Sequence, residues 1–394
     1  MKIKNFNDLA VNKLRRDALL IAEAGLEAID TRRIILNNKI IKNLPHERII
    51  VVAIGKCALD AAEVLEEIFR DKIKAGICLD IRKGNLKYIK SLEGDHPLSS
   101  ERNIKAGKEI IKLIKKSDKK DLFLFVISGG GSALLSDQIN EREILRVLFK
   151  AGANIQEINT IRKHTSGLRG GWLAKYAYPA EVMALIFSDV PGDDLQFIAS
   201  GPTVKDKTTL EDAREILKKY GIKAELKATP QPAKYFVKVD NLIVASNKIA
   251  LQAMRKKAKL LGYNLRIKDF KLSGRAKEIG REIVKRPGLY GGESAVEVLG
   301  KGKGGRNQEL ALSALENIQI GQVVLALASD GWDNSRHAGA ICDIITKKKC
   351  PYYKNYLRQN NSFLYFKKTG DAIITGPTGS NVADLIIVLH ERQR

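Results

Sequence analysis

The chemistry-bearing residues of this sequence are cations set beside glycines and aspartates set in glycine-rich turns, each just past a short apolar run. Val52-Ala53-Ile54 leads through Gly55 to Lys56, where a helical pattern begins. A helix N-terminus disfavours a lysine, because its free N–H groups already carry partial positive charge. An anion held by the same turn reverses that penalty; otherwise the lysine simply reaches solvent. Ile127 leads into Ser128-Gly129-Gly130-Gly131-Ser132. Consecutive glycines let backbone N–H groups approach and wrap a phosphate or carboxylate. Phe187 leads into Ser188-Asp189-Val190-Pro191-Gly192-Asp193-Asp194, followed by Ser200-Gly201-Pro202-Thr203. These carboxylates can bind Mg²⁺, one can serve as base toward a hydroxyl, or they are caps of a turn.

Further on, Leu299 leads into Gly300-Lys301-Gly302-Lys303-Gly304-Gly305-Arg306-Asn307-Gln308-Glu309. Formally this contains G-x-G-x-x-G, with Asp330 ending the following strand as a ribose-binding acid would, so a dinucleotide site is open. Lys301, Lys303 and Arg306 instead favour multiply charged phosphates. No G-x-x-x-x-G-K-[ST] occurs, which excludes an ordinary P-loop. Ser329-Asp330-Gly331-Trp332-Asp333-Asn334 and Thr375-Gly376-Pro377-Thr378-Gly379-Ser380-Asn381 are two more polar turns. Arg162-Lys163-His164 supplies charge toward an anion, or forms a solvated basic helix face.

The elements that must position these turns are legible as alternation. Apolar runs at Ile49–Ile54, Leu122–Ile127, Val182–Phe187, Leu242–Ala245, Ser294–Leu299, Val323–Ala328 and Leu385–Leu389 suit strands covered on both faces. Helical periodicity separates them, as in Cys57–Arg70, Ser99–Lys116, Glu141–Ala151, Leu210–Tyr220, Ile249–Leu261 and Asn307–Glu316. Strand–helix alternation predicts mostly parallel sheets in an α/β fold, with ligands beyond the strand ends. The aperiodic stretch from Ile222 to Val239, holding Pro230 and Pro232, divides the chain into domains 1–235 and 240–394. The region from Lys347 to Gly370 reads as a hairpin or loop.

Bulk properties narrow the classes. A chain of 394 residues exceeds one comfortable core. Net charge is +23, spread along the chain without an arm or tail, which reads as a Lys-rich surface or as affinity for anions. Cys57, Cys78, Cys342 and Cys350 form no C-x-x-C pair, so no zinc or disulfide framework is expected and a reducing cytoplasm fits. The N-terminus runs into an amphipathic pattern, Asp8 to Ala28, without a signal-peptide core, and no apolar run is long enough to span a bilayer.

Taken in order, SGGGSALL (Ser128–Leu135), EINTIRKH (Glu157–His164), SDVPGDD (Ser188–Asp194) with ASGPT (Ala199–Thr203), GGES (Gly291–Ser294), GKGKGGRNQELAL (Gly300–Leu312) and TGPTGSNVADL (Thr375–Leu385) resemble the class II glycerate kinases, whose C-terminal half is the MOFRL domain. The resemblance covers nearly the whole chain. It implies a Rossmann-like, parallel-sheet N-terminal domain, a smaller α/β C-terminal MOFRL domain, and an active site in the cleft between them. It also implies ATP-dependent phosphorylation of D-glycerate, commonly to 2-phosphoglycerate, with Mg²⁺ or another divalent cation. Lys56 and Arg306 match active-site positions of the family. On this basis Lys56, Asp189 and Arg306 are the expected catalytic groups, and Asp193 and Asp330 the expected metal ligands. Gly55, Ser128, Gly129, Gly130, Gly131, Ser132, Arg162, Lys163, Gly201, Gly304, Gly305, Asn307 and Glu309 are the expected binding positions. The expected partners are small molecules, neither nucleic acid nor membrane, and a homodimer is left open. Where relatives often read T-D-G-x-D-G, this chain places Trp332 before the second aspartate and Asn334 after it, which bears on acceptor preference. The rival readings are a hydroxypyruvate-reducing oxidoreductase, resting on G-x-G-x-x-G, and a non-enzymatic polyanion binder, resting on charge.

Overall fold

The computed structural model describes residues 1–138 and 140–391. The chain divides into two compact units. One is continuous, Ile34–Val244; the other joins Met1–Arg33 to the chain from Ala245 onward. The first 33 residues, grouped with 1–235 by the sequence reading, therefore fold with the C-terminal unit.

The continuous unit is built on a sheet with strand order β3-β2-β1-β4-β5-β6. Its strands are β1 (Ile49–Ile54), β2 (Ile73–Asp80), β3 (Lys90–Glu93), β4 (Leu122–Ser128), β5 (Glu181–Phe187) and β6 (Val239–Ala245). The pairings among β1 to β5 are all parallel. Every residue of β1 and of β4 is buried, which is what unbroken apolar runs predict for strands covered on both faces. Ile50, Val52 and Ile54 pack with Phe123, Phe125 and Ile127 against Ala106, Ile110 and Ile114 of the helix Glu101–Lys115. The other face of β1 meets the helix Ala58–Phe69. The strand order runs outward from β1 on one side and from β4 on the other. Such an order leaves a crevice beyond the carboxyl ends of those two strands, where the flanking connections part in opposite directions.

The discontinuous unit contains β7 (Ile267–Arg275), β8 (Gly288–Ala295), β9 (Gln322–Ala328), β10 (Gly339–Asp343), β11 (Ala372–Ile373) and β12 (Asp384–His390) in the order β11-β10-β9-β12-β8-β7. Among the described residues of this unit only β7 and β8 pair in parallel; β8 with β12, β12 with β9, β9 with β10, and β10 with β11 are antiparallel. The expectation of mostly parallel sheets fails here, because a helix-free connection returns β9 into β10 and the last strand inserts between β8 and β9. The expected strand Ser294–Leu299 is displaced as well: β8 ends at Ala295, and Val298 and Leu299 are exposed. The region read as a hairpin or loop is instead helical at Ile344–Lys349, Tyr353–Arg358 and Ser362–Thr369.

The N-terminal helix Lys13–Ala28 anchors this unit. Its fully buried Arg15 donates to both Asp343 carboxylate oxygens at 2.7 Å, to Asp371 Oδ1 at 2.7 Å and to Thr346 Oγ1 at 2.6 Å. The guanidinium holds the Asp343 carboxyl below the usual carboxylate range despite its burial. Among the described residues no helix is long and apolar enough to cross a membrane.

Candidate active site

Two strand exits interlock at the crevice between β1 and β4. Gly55 sits at φ +120, and a Cβ there would lie 2.1 Å from Ser128 Oγ and 2.7 Å from Ser128 O. Only glycine fits so close an approach. Lys56 N donates to Gly129 O at 3.0 Å, Cys57 N to Ser128 Oγ at 3.3 Å, and Ser128 Oγ to Ile54 O at 3.3 Å. These bonds fix the Lys56 turn to the glycine loop. Gly130, at φ +84, lies beneath the lysine: a Cβ there would be 3.2 Å from Lys56 Cγ, 3.4 Å from Lys56 Cε and 3.2 Å from His96 Cδ2. The lysine side chain, the imidazole and the loop backbone thus share one spot.

A second layer holds the loop from behind. Ala199, Ser200 and Gly201 are all left-handed, with φ of 48, 59 and 62. Non-glycine residues in that region cost about 1–3 kcal/mol each and persist only where the surroundings enforce them. Here Ala199 abuts Gly131, whose Cβ would come 2.7 Å from Ala199 Cβ, and Ser132 Oγ meets Ser200 Oγ at 3.0 Å. Gly170 N and Gly171 N donate to Ser200 O and Gly201 O at 2.9 and 2.8 Å. Fully buried Arg169 bonds Ser132 O at 2.6 Å and lies bidentate on Glu141 at 2.5 and 3.0 Å. Gly201 therefore serves the loop's support.

Arg162, Lys163 and His164 end the helix Ile155–His164 and do not act alike. Lys163 is buried with its ammonium on Asp206, and His164 bonds Lys227 O at 2.9 Å and Thr208 Oγ1 at 3.2 Å. Lys163 is thus spent inside the fold, contrary to the expectation that it binds substrate. Arg162 has no such partner: its buried Nε makes no hydrogen bond, and burial together with Arg169 pushes the guanidinium down to about 10. Burial with the charges of Lys56 and Arg162 pushes His96 down to about 4, so the ring is neutral near pH 7. Sequence reading missed His96, because the short strand β3 that delivers it was not recognised. It missed Arg169 because the arginine's role is internal.

Asp189 leaves β5 two residues past Phe187, which pairs with Ser128, so it stands half-buried at the neighbouring exit. In the same turn Asp193 is left-handed at φ 59, and Asp194 Oδ1 accepts from Gln196 N at 2.9 Å. A cavity of ≈ 590 Å³ elsewhere in this unit, lined by Gln138, Ile144, Val147 and Glu225, contains none of the candidate residues.

In the discontinuous unit the glycine-rich loop is closed on its own protein. A Cβ at Gly300 would lie 2.3 Å from Gln359 O, at Gly302 2.5 Å from Asn361 Cβ, at Gly304 2.0 Å from Ser362 Oγ, and at Gly305 2.3 Å from the Asp333 carboxylate. Internal packing therefore accounts for these glycines, including Gly304 and Gly305. The G-x-G-x-x-G segment also lacks the adjacent parallel strands of a dinucleotide fold, since β12 separates β8 from β9 and runs against both. Buried Asp333 caps the helix Arg306–Ala314, accepting from Asn307 N at 3.0 Å and Gln308 N at 2.9 Å, and from Asn307 Nδ2 at 3.2 Å. Buried Glu309 accepts from Asn360 Nδ2 at 2.9 Å. Asn307 and Glu309 are accordingly parts of the scaffold. Arg306 is about one-third exposed; Nε and Nη2 bond Asp384 at 2.6 and 3.0 Å, and Nη2 also meets Glu293 at 3.0 Å. Its Nη1 takes part in none of these bonds. Burial beside Asp333 pushes the Asp384 carboxyl upward. Asp330 accepts from Trp332 N at 2.9 Å, and Trp332 stands exposed beside it. Among the described residues no group of three His, Cys, Asp or Glu can hold a metal by itself. Mg²⁺ bound through nucleotide phosphates needs only one or two protein carboxylates, which Asp193 or Asp330 can supply.

Comparison with known proteins agrees with this architecture. Residues 17–232 match a domain of unknown function, DUF4147, and residues 288–384 match the MOFRL family. The chain is 36% identical to the D-glycerate 2-kinase of Thermotoga maritima, with 95% of this chain and 98% of that protein aligned. It is 34% identical to a putative hydroxypyruvate reductase of Agrobacterium vitis, covering 98% and 95%. The crystal structure of glycerate kinase from Thermotoga maritima superposes with a TM-score of 0.88 at 33% identity, covering 95% of this chain and 99% of the other. With both halves matched and the relatives aligned over nearly their whole length, the chain belongs to the class II glycerate kinase family.

Proposed function

We propose that this protein is a glycerate 2-kinase, moving the γ-phosphoryl group of ATP to the 2-hydroxyl of D-glycerate and releasing ADP. The observation that carries the reading is Lys56, a cation without an ion-pair partner, laid over the glycine loop at the crevice of a nucleotide-type sheet. Family membership and the T. maritima relative, named for this activity, support it.

Phosphoryl transfer asks the protein mainly for positioning and for positive charge on the moving group. Lys56 and Arg162 are proposed to meet anionic oxygens, and the Ser128–Ser132 backbone to fix the lysine. Arg306, aimed by Asp384 and Glu293, offers its remaining Nη1 edge to an anion. Asp189 is proposed to accept the proton as the glycerate oxygen bonds to phosphorus and the bond to the ADP oxygen breaks. A divalent cation bound with ATP would neutralise phosphate charge, with Asp193 or Asp330 as its carboxylate. The four cysteines are buried and none is joined in a disulfide, which suits a reducing cytoplasm.

The test couples the purified enzyme, with ATP, Mg²⁺ and D-glycerate, to enolase without phosphoglycerate mutase. Signal is expected at once. Signal only after mutase is added would assign the 3-hydroxyl, and ADP formation independent of glycerate would sink the kinase reading.

A further inference from the structure

His96 has no assigned role, yet its ring lies against Gly130 beside the Lys56 side chain. The residue is open to solvent on one side while its ring packs on the loop on the other, and it forms no hydrogen bond or ion pair. The charges that act on the ring are both cationic: Lys56 from the β1 exit and Arg162 from the helix Ile155–His164. On its own segment, Asp95 is engaged by Arg102 at 2.6 and 3.2 Å. Neither Lys56 nor Arg162 has a carboxylate partner, whereas buried Arg15, Lys163 and Arg169 all do. Glu141 offsets Arg162 only in part and without an ion pair, so the cations still repel one another, and an incoming anion is what removes that cost.

Resting on the kinase reading for the identity of the anion, we propose that His96 is the third donor of an oxyanion subsite formed with Lys56 and Arg162 on the Gly129–Gly131 loop, holding either the glycerate carboxylate or the transferred phosphoryl group. A neutral imidazole can donate one N–H to such a group; a protonated one adds charge.

The sign of the pH dependence follows. In the free enzyme the ring titrates near 4, held down by desolvation and its two cationic neighbours. A bound anion neutralises those cations and favours the imidazolium, raising the value in the complex. Affinity for the anion therefore rises as pH falls through the complex's value, and it levels off below the free enzyme's. A carboxylate of ordinary acidity, about 3.5, stays ionised over most of that range.

Two measurements decide it. The first is the pH profile of KM for glycerate and for ATP, between pH 5 and 8, in wild type and His96→Gln, with thermal melting to confirm folding. One of the two KM values should fall several-fold toward acid pH in wild type, and the variant should lose that fall and bind that substrate about tenfold more weakly. The substrate affected identifies the anion. The second is NMR titration of the His96 ring in the wild-type enzyme, assigned by the signal lost in His96→Gln or, should that not fold, His96→Asn. Its probes are D-glycerate alone and sulfate alone. The ring should titrate at least one unit higher with a probe bound. No rise with either probe, or KM profiles identical in wild type and variant, overturns the proposal. Because sulfate needs no turnover, its arm decides the subsite even if glycerate proves not to be the acceptor.

Discussion

Lys56 poses a local conflict: the helix start it occupies disfavours a cation, and no carboxylate offsets it. Removing the charge should help folding and hurt the reaction. We expect Lys56→Met to raise stability by about 0.3–1 kcal/mol, the scale of a charge at a helix terminus. The same change should lower kcat by about 10²-fold or more, as loss of one transition-state donor does, with a smaller change in KM. Thermal melting and steady-state kinetics on one preparation check both; an unchanged kcat removes the lysine from the mechanism. Adjacent Arg162 and Lys163 carry a related lesson. Sequence shows two basic neighbours, but successive helical residues point about 100° apart. One therefore ends buried on Asp206, and the other makes no ion pair and keeps a buried Nε without a hydrogen bond.

At the level of the turn, glycines with similar backbone angles have different duties, and substitution separates them. Gly152 has φ +73 with open space where a Cβ would go, so Gly152→Ala should cost only the backbone term, about 1–2 kcal/mol, and leave activity intact. Gly130, at φ +84, has the same backbone term, but its methyl would press on Lys56 and His96 at 3.2 Å. Gly130→Ala should cost comparable stability and lose activity. Gly55→Ala, driven into Ser128, should be the least stable of the three. Chemical denaturation and kinetics on the set test the ranking, and equal activity for Gly152→Ala and Gly130→Ala would contradict it. The three-glycine loop and its lysine were legible in sequence, because runs of glycine after a buried strand have few other uses. The left-handed Ala199 and Ser200 were not, since neither residue type signals φ > 0. The glycines from Gly300 to Gly305 misled in the opposite direction. Spacing cannot distinguish a backbone opened for a ligand from one crowded by Gln359, Asn361 and Asp333.

For the molecule as a whole, the informative residue is one that no motif flagged. The amphipathic pattern from Asp8 to Ala28 revealed a helix, but not its destination, because a long-range partner leaves no trace in local periodicity. Arg15 answers the question physically. Its guanidinium is fully buried between Asp343 and Asp371, more than three hundred residues away in the chain. Taking away one member of a buried charge network strands the others, at a cost of about 3–5 kcal/mol. Arg15→Met should therefore destabilise the discontinuous unit by that amount, and Arg15→Lys should rescue it only partly, since an ammonium cannot reproduce the fork. Asp343 sits below its unfolded value, so its contribution is present above the ordinary carboxylate range and is lost as pH falls through the folded value. The gap in stability between wild type and Arg15→Met should accordingly shrink on acidification. A fragment from residue 240 onward should fail to fold alone, whereas residues 34–244, with an unbroken sheet and core, should melt cooperatively. A stable, cooperative fragment lacking Met1–Arg33 would show that the N-terminal helix is an accessory to this unit and not one of its walls.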